Sequence, residues 1–325
     1  WRKISVTSEE LCISTVLRCG QSFRWKNSGD EWSCALYGRI ISLKQDPTHL
    51  HYRVIYPTTS AKPIIEAGKE TDSEEDDTES TLRDYFNLSV DLTKLYKTWS
   101  EQDPVFMKKA PNFMGVRMLR QDPWENLISF ICSTNNNISR IGQMVEKLCV
   151  NYGSKLGELN GIEYHDFPPP EKLAAGGVEQ ELRDLGFGYR SKYLATTARV
   201  IAHKKSLEWL FGLRKEPYKV AHEALLELSG VGPKVADCVC LMSMDKAEAV
   251  PVDTHVWQIA IRDYKFGKGN LKSLTPATYW AIGDYFRELW GTEAGWAHSV
   301  LFTADLHAFS DVSKAPPKAK VKVKD

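Results

Sequence analysis

Features typical of several large protein classes are missing from the sequence. No hydrophobic run approaches the ~20 residues that span a membrane, and the first residues form no signal peptide, although a targeting segment could precede Trp1. No Gly-Lys-Ser/Thr phosphate loop is present, so a nucleotide cofactor is not expected. The seven cysteines are scattered without zinc-binding spacing, and their odd number favours reduced, intracellular thiols. The sequence predicts no metal, no cofactor and no membrane contact.

Charge is balanced overall but unevenly distributed. Residues 66–79 contain eight acidic residues against one lysine, so the rest of the chain has 41 basic residues against 34 acidic ones. We predict a disordered acidic loop at about 66–80 and a basic disordered tail at 312–325. The tail could be a nuclear import signal, a DNA contact or a solvated end. A folded body this weakly basic favours a narrow phosphate-binding strip over a uniformly cationic surface.

Outside the acidic segment and the tail, the sequence pattern changes from β to helical near residue 112. A chain of 325 residues with 42% apolar content is expected to form two to three packed domains. Residues 1–112 read as mainly β, and the chain reads as helical from Pro111 onward. Strands are predicted at 22–25, 32–44 and 51–56, and helices at 82–86, 92–99, 124–133, 138–150, 192–202 and 254–264.

A compact pattern of helix, glycine turn and helix occupies residues 221–256. The turn at 229–232 contains two glycines one residue apart, and Pro233 suits the first turn of the following helix. Backbone N–H groups at such a helix start can bind an anion. Because the sequence has no nucleotide-binding loop, a nucleic-acid phosphate is the anion that fits best. A plain connection between helices would have the same pattern, so this evidence is weak alone.

Candidate reactive groups follow the turn. Lys234, Cys238 and Met242 are spaced to share one helix face. A lysine at the mouth of an apolar pocket favours its neutral, nucleophilic form, whereas the alternative is a solvent-reaching lysine beside core residues. Asp253 stands where a helix N-cap belongs, and capping alone would explain it.

The combination of glycine hairpin, lysine-initiated helix and Pro-Val-Asp resembles the helix-hairpin-helix/Gly-Pro-Asp superfamily of DNA base-excision glycosylases. Further segments narrow the resemblance to the eukaryotic 8-oxoguanine DNA glycosylases. These segments are GQSFRW (20–25), VRMLRQDPWENLISFICSTNNNISRI (116–141), LGFGYRSKY (185–193), GVGPKVADCVCLM (230–242), VPVDTHVW (250–257) and AGWAHSVLFTADL (294–306). The resemblance covers nearly the whole chain except the acidic insertion and the tail.

The resemblance implies an α+β fold. A twisted N-terminal antiparallel β-sheet domain (1–112) would pack on a mostly α-helical core, made of a helical domain (113–217) and a helix-hairpin-helix catalytic domain (218–311). A loop of the sheet domain would reach the active site. No cysteine cluster follows Asp253, so the iron–sulfur loop of some relatives is not expected.

The resemblance also implies a reaction. A bifunctional glycosylase and abasic-site lyase would flip 8-oxoguanine, and formamidopyrimidine-guanine, from opposite cytosine in duplex DNA. Lys234 would attack C1′ to form a Schiff base that undergoes β-elimination, and Asp253 would stabilise positive charge on the sugar. The enzyme would be a monomer working in base excision repair in the nucleus, with the mitochondrion as a second location.

The implied binding residues form three groups. The base pocket would contain Gly20, Cys238, Met242, His298 and Phe302. Asn135, Arg140 and Arg190 would hold the orphaned cytosine, with Tyr189 as the wedge. Gly230, Val231, Gly232, His255 and Asp305 would lie at DNA phosphates. From chemistry alone, Gly20 could be a bend glycine, the asparagines helix caps and Tyr189 a packing residue.

Position 298 departs from the family pattern, in which glutamine is expected. A neutral histidine offers one donor and one acceptor with shorter reach. Recognition of the base edge and its pH dependence are therefore open. Two rival functions also stay open: a helix-hairpin-helix module that binds DNA without chemistry, and a glycosylase for alkylated purines or oxidised pyrimidines. The presence of both Lys234 and Asp253 disfavours the first, and the nucleophilic lysine and missing cysteine cluster disfavour the second.

Overall fold

The computed structural model describes residues 1–57, 76–269 and 273–311. Its N-terminal part contains a five-stranded antiparallel sheet in the order β1-β5-β4-β3-β2. The strands are β1 (Arg2–Ser5), β2 (Lys26–Ser28), β3 (Glu31–Leu36), β4 (Arg39–Gln45) and β5 (His49–Ile55). The run predicted at 32–44 is two strands of one hairpin, because the chain reverses at Tyr37 and Gly38, which both have positive φ.

The helices carry the rest of the described fold. They are α1 (Ile13–Val16), α2 (Thr78–Tyr85), α3 (Leu92–Gln102), α4 (Pro104–Lys109), α5 (Pro123–Ser133), α6 (Ile138–Tyr152), α7 (Pro170–Ala174), α8 (Val178–Asp184), α9 (Arg190–Val200), α10 (Leu207–Gly212), α11 (Tyr218–Leu226), α12 (Pro233–Ser243), α13 (Thr254–Tyr264), α14 (Pro276–Trp290) and α15 (Ala294–Asp305). The predicted α+β class, with an antiparallel sheet ahead of a helical core, is confirmed.

The strand predicted at 22–25 is wrong, because this segment ties the sheet to the helical core instead of pairing. The Arg24 side chain is buried, forms an ion pair with Glu125 of α5 at 2.7 Å and donates to the His165 carbonyl at 2.8 Å. Burial raises the pKa of Glu125, and the charge of Arg24 opposes that rise. Strand pairing begins only at Lys26.

A second hairpin was not predicted. Strands β6 (Lys155–Leu159) and β7 (Ile162–His165) lie between α6 and α7. Tyr164 packs with Ala35 and Ile40 of the large sheet. The short strands of this hairpin contain glycine and glutamate where strands usually have β-branched residues. The sequence therefore gives little indication of strands there.

The acidic segment is only partly as predicted. Residues 76–80 are ordered, because Asp76 pairs with Arg2 and accepts from the Thr78 hydroxyl, while Asp77 pairs with Arg39. The loop prediction is therefore wrong for these five positions, where basic residues of the sheet neutralise the acids. Residues 66–75 and the predicted tail at 312–325 lie outside the described residues.

Two large hydrophobic cores organise the described residues, beside the small cluster around Tyr164. One lies under the large sheet and includes Ile41, Leu43 and Tyr52. The other surrounds α5, whose residues from 126 to 132 are all buried, and extends continuously to α12, α14 and α15. The predicted central helix is confirmed. Because this second core runs across residue 217, the boundary predicted between 113–217 and 218–311 remains a prediction.

Candidate active site

The glycine hairpin lies between α11 and α12. Gly230 has φ +81°, and a Cβ there would lie 2.6 Å from Cβ of Tyr193, so both conformation and space require glycine. Gly232 is the N-cap of α12 and no side chain caps this helix start. Because the first N–H groups of a helix lack intrahelical partners, this exposed end is suited to an anion. The N–H of Val231, by contrast, already donates to the Leu228 carbonyl at 3.2 Å.

Lys234 lies in the first turn of α12 and points into a pocket. Its Nζ is 3.5 Å from the Ser133 hydroxyl and 5.1 Å from the centre of the Phe130 ring. Cys238 and Met242 line the same pocket, so the predicted common face is confirmed. The amine therefore lies beside the Ser133 hydroxyl, the Cys238 thiol and an aromatic ring, and no carboxylate forms an ion pair with it within the described residues.

Asp253 begins α13 and lines the same pocket. Its Oδ1 accepts from the backbone N–H of His255 at 2.9 Å and of Val256 at 3.0 Å. The predicted N-cap is confirmed. Both backbone donors use one oxygen, and the positive end of the helix dipole stabilises the ionised carboxylate. The second oxygen makes no hydrogen bond to the described part of the chain.

The pocket is open to solvent, and the empty space within it and at its mouth is about 420 Å³. All five predicted base-pocket residues line it: Gly20, Cys238, Met242, His298 and Phe302. The sequence reasoning missed six other lining residues: Cys19, Gln21, Phe130, Pro251, Ser299 and Thr303. Most of these residues are next to a predicted residue in the sequence, so this adjacency could have indicated them. Phe130 alone had no such indication, because a phenylalanine inside a buried helix reads as core.

Gly20 lies in the loop between α1 and β2, and its φ is +89°. A Cβ at this position would approach Cδ1 of Ile138 to 3.1 Å. The adjacent Gln21 holds the loop, since its amide donates to the Arg117 carbonyl and accepts from the Leu119 N–H, both at 3.0 Å. Gly20 is therefore both a bend glycine and a pocket residue. The loop that carries it extends from the sheet part to the pocket, as predicted.

His298 projects from α15 and is 6% exposed. Neither ring nitrogen has a hydrogen-bond partner of good geometry among the described residues. Burial lowers the pKa of His298 to about 4, against the attraction of the Asp253 carboxylate and the influence of the Gly295 backbone. The imidazole is thus neutral near pH 7, and its two nitrogens are buried in the wall of the pocket.

Three of the four residues predicted for the wedge and opposite base come together. Tyr189 is 47% exposed, and its hydroxyl donates to the Thr134 carbonyl at 3.1 Å. Arg190 is buried and donates to the carbonyls of Thr134 and Asn135, the latter at 3.1 Å. Its guanidinium lies 4.6 Å from the centre of the Tyr189 ring. In this arrangement Arg190 points away from solvent, so contact with a base requires it to move.

The fourth residue and its neighbours are arranged differently. Arg140 is exposed in the first turn of α6. Asn137 is the N-cap of that helix and accepts from the Arg140 backbone N–H at 3.0 Å. Asn135 is exposed with φ +48°, a left-handed conformation that asparagine tolerates better than most residues. Capping therefore accounts for Asn137 and leaves the Asn135 side chain at the surface.

His255 and Asp305, both predicted to lie at DNA phosphates, are close to each other but are not hydrogen-bonded. His255 Nδ1 is 3.9 Å from Asp305 Oδ2, whereas Arg262 forms an ion pair with Asp305 at 2.7 Å. The His255 ring packs edge-on to Phe302 with centroids 6.0 Å apart. The interaction that mainly holds Asp305 is therefore with Arg262, a residue that sequence reasoning missed.

Residues 1–57, 76–269 and 273–311 contain no group of three or more histidine, cysteine or acidic side chains placed to hold a metal ion. Of the helices in those ranges, none combines the length and apolar character needed to cross a bilayer.

Comparison with known proteins covers both parts of the fold. Residues 3–127 match the family described as 8-oxoguanine DNA glycosylase, N-terminal domain, and residues 128–282 match the HhH-GPD superfamily of base excision DNA repair proteins. The chain is 39% identical to the N-glycosylase/DNA lyase of Saccharomyces cerevisiae, over 94% of this chain and 86% of the yeast protein. It is 38% identical to the N-glycosylase/DNA lyase of Arabidopsis thaliana, over 95% and 81% of the two chains.

A solved structure is similar over the same extent. The 8-oxoguanine glycosylase/lyase of Clostridium acetobutylicum, in complex with double-stranded DNA containing cytosine opposite 8-oxoguanine, superposes with a TM-score of 0.74. It is 29% identical in sequence, and the match covers 90% of this chain and 91% of that one. These matches include the sheet, the glycine hairpin and the pocket, and the chain belongs to the 8-oxoguanine DNA glycosylase family within the HhH-GPD superfamily.

Proposed function

We propose that the protein excises 8-oxoguanine, and formamidopyrimidine-guanine, from opposite cytosine in duplex DNA and then cleaves the strand. The observation that carries this proposal is that one pocket contains the amine of Lys234, the carboxylate of Asp253 and the neutral ring of His298. The curated relatives named N-glycosylase/DNA lyase support the two-step reaction. The Clostridium complex supports the lesion and the opposite base.

Lys234 is the proposed nucleophile. A lysine needs its neutral form to attack, and Nζ of Lys234 lies in the pocket beside Phe130 and Ser133 without a carboxylate paired to it among the described residues. Attack of Nζ on C1′ forms a C–N bond as the glycosidic bond breaks, and the oxidised purine leaves with the bonding electrons and takes up a proton while the amine loses one. The C1′–O4′ bond of the sugar then breaks, O4′ takes up a proton and the same nitrogen becomes a Schiff base. Loss of a C2′ proton and breaking of the 3′ C–O bond complete the β-elimination.

Asp253 is the proposed electrostatic partner of this step. The sugar develops positive charge as the base departs, and an ionised carboxylate in the pocket stabilises that charge. The two hydrogen bonds to Oδ1 fix the side chain before substrate arrives, so little reorganisation is needed.

Base recognition depends on the pocket walls. A base must leave the helical stack before it can enter, which costs a few kcal/mol. Cys238 and Phe302 are proposed to hold its two faces, with Met242 at the end of the slot. The backbone carbonyl of Gly20 would accept from N7–H, the proton that 8-oxoguanine has and guanine lacks. His298 would contact the Watson–Crick edge through whichever nitrogen faces it.

The DNA-binding surface would use the remaining groups. Tyr189 fills the vacated space, and Asn135, Arg140 and Arg190 hold the orphaned cytosine once Arg190 leaves the Thr134 and Asn135 carbonyls. Phosphates would lie at the α12 start, where Gly230 and Gly232 shape the backbone, and near His255. The Val231 N–H is already bonded, so Gly232 and the first turn of α12 offer the available donors. We further propose that the enzyme acts as a monomer in the nucleus, with the mitochondrion as a second location.

The direct test of substrate is a panel of duplexes. Each carries 8-oxoguanine, formamidopyrimidine-guanine, an alkylated purine, an oxidised pyrimidine or guanine, opposite each of the four bases. We expect strand cleavage at the two oxidised guanines, fastest opposite cytosine. Excision of the alkylated purine or the pyrimidine alone would refute the substrate, and DNA binding without excision of any base would refute the enzymatic function.

A further inference from the structure

A buried carboxylate lies on α12 behind the pocket and has no part in the chemistry proposed above. Asp237 is 1% exposed. Its Oδ1 accepts from the Tyr218 hydroxyl of α11 at 2.5 Å, and its Oδ2 accepts from the Tyr279 hydroxyl of α14. Such charge-assisted hydrogen bonds are stronger than neutral ones, and an unpaired buried carboxylate is costly. Asp237 therefore joins three helices through its two oxygens.

His222 of α11 completes this cluster. The ring is also buried, and its Nε2 lies 3.5 Å from Asp237 Oδ1 and 3.3 Å from the Pro233 carbonyl. Pro233 immediately precedes Lys234. The cluster of Tyr218, His222, Asp237 and Tyr279 thus contacts the first turn of α12 on the face that does not line the pocket.

The position of Asp237 relates it to Lys234. The two residues are three apart on one helix, while Cys238, the next residue, lines the pocket with Lys234. A helix is stiff over a few residues, so the bonds that fix Asp237 also fix the direction in which Lys234 leaves the backbone. Burial raises the pKa of Asp237, and the nearby His222, Tyr218, Tyr279 and Arg287 oppose that rise.

Tyr279 connects the Asp237 carboxylate to the turn that carries Asp253, the second proposed reacting group. Burial raises the pKa of Tyr279, and the nearby backbone of Val252, the residue directly before Asp253, opposes that rise, so the hydroxyl lies close to this turn. Tyr218 has no comparable contact with that turn among the described residues. One hydroxyl therefore lies between the helix that carries Lys234 and the turn that ends in Asp253.

We propose that Asp237 and Tyr279 are positioning residues that set Lys234 and Asp253 relative to each other from behind the pocket. This inference rests on the proposed function. Reaction rates respond steeply to such placement, because a misplacement of ~1 Å can cost about a hundredfold in rate. Affinity for DNA depends on other surfaces and is expected to change little when the placement of Lys234 and Asp253 is disturbed.

Two matched substitutions separate positioning from stability. Tyr218→Phe and Tyr279→Phe each remove one hydroxyl donor from Asp237 and leave the other in place, so both should lower the unfolding midpoint by similar amounts. Tyr279→Phe should slow single-turnover excision of 8-oxoguanine opposite cytosine about tenfold or more, and Tyr218→Phe less than about threefold. Tyr285→Phe, also on α14 but in contact with Tyr264 and Phe266, is the control and should leave the rate unchanged.

Affinity is measured in parallel on a duplex that carries a tetrahydrofuran abasic-site analogue opposite cytosine. We expect all three variants to bind it within about twofold of the unsubstituted chain. Equal slowing by Tyr218→Phe and Tyr279→Phe, or a loss of affinity as large as the loss of rate, would overturn the positioning role. If the unsubstituted chain does not excise 8-oxoguanine at all, the proposed function itself fails and this inference fails with it.

Discussion

Asp253 caps α13, and one substitution can separate this structural role from the chemical role proposed for it. Asn keeps an oxygen that can accept from the His255 and Val256 amides, so Asp253→Asn should preserve the helix cap. It removes the negative charge, and we expect single-turnover excision to slow more than tenfold, over about 1.4 kcal/mol, while DNA binding persists.

Another capping aspartate provides the control for this substitution. Asp91 caps α3 by accepting from the Lys94 N–H at 2.9 Å and does not line the pocket. Asp91→Asn should leave the excision rate unchanged. A near-normal rate for Asp253→Asn would contradict its electrostatic role.

His298 makes the stability of the protein depend on pH. Its folded-state pKa of about 4 is below the unfolded value of about 6.5, so the unfolded chain binds the proton more tightly. The stability that the neutral ring contributes is complete above pH 6.5 and is lost as the pH falls toward 4. By pH 5 the loss is roughly 2 kcal/mol.

The measurement is urea unfolding of the unsubstituted chain and of His298→Gln at pH 7 and pH 5. Glutamine does not titrate, so the variant should lose less stability between the two pH values. The same variant tests base reading, because a changed ratio of 8-oxoguanine to guanine excision is expected if His298 contacts the base edge. An identical pH dependence of stability in both proteins would contradict the buried neutral ring.

Residue types predicted the site better than residue conformations. The spacing of Lys234, Cys238 and Met242 on one helix face was sufficient to place them together in the pocket. The buried, inward arrangement of Arg190 was not predictable, because the carbonyls of Thr134 and Asn135 that it binds belong to a turn distant in sequence. Likewise, nothing local in sequence indicates that Arg262 binds Asp305.

At the scale of elements, the glycine hairpin has a steric requirement that can be tested. Alanine at Gly230 meets both a positive φ and Tyr193 at 2.6 Å, while alanine at Gly161 meets a positive φ and open space. Gly161→Ala should cost about 1–2 kcal/mol, the conformational term alone. Gly230→Ala should cost clearly more and also weaken DNA binding. Equal urea midpoints for the two variants would contradict the close packing of the hairpin against Tyr193.

Helix prediction succeeded where capping and burial agree. Helix α13 was predicted at 254–264 and occupies Thr254–Tyr264, because Asp253 marks its start and apolar residues recur on one face. The 22–25 segment failed for the opposite reason. Its alternating pattern predicts a strand, but Arg24 forms an ion pair with Glu125, which lies more than a hundred residues later in the sequence. A tertiary ion pair of this kind leaves no local signal.

At the scale of the whole molecule, the Arg24–Glu125 ion pair joins the sheet part to the helical core. Arg24→Met leaves the largely buried carboxylate of Glu125 without its cation, and breaking such a pair in a protein interior costs about 3–5 kcal/mol. Lys155→Met removes an exposed ion pair with Glu163 and should cost about 0–1 kcal/mol. Urea unfolding compares the two. A loss of stability from Arg24→Met as small as that from Lys155→Met would contradict the role of the pair in joining the two parts.

The central claim is that Lys234 forms a covalent bond with the deoxyribose of a damaged nucleotide. Borohydride reduces a Schiff base to a stable amine, so it should trap the protein on a duplex with 8-oxoguanine opposite cytosine. Lys234→Gln should abolish trapping, while Lys97→Gln, an exposed lysine on α3, should trap as the unsubstituted chain does. A covalent complex that forms equally well with Lys234→Gln, or that never forms while the lesion is still excised, would contradict the claim.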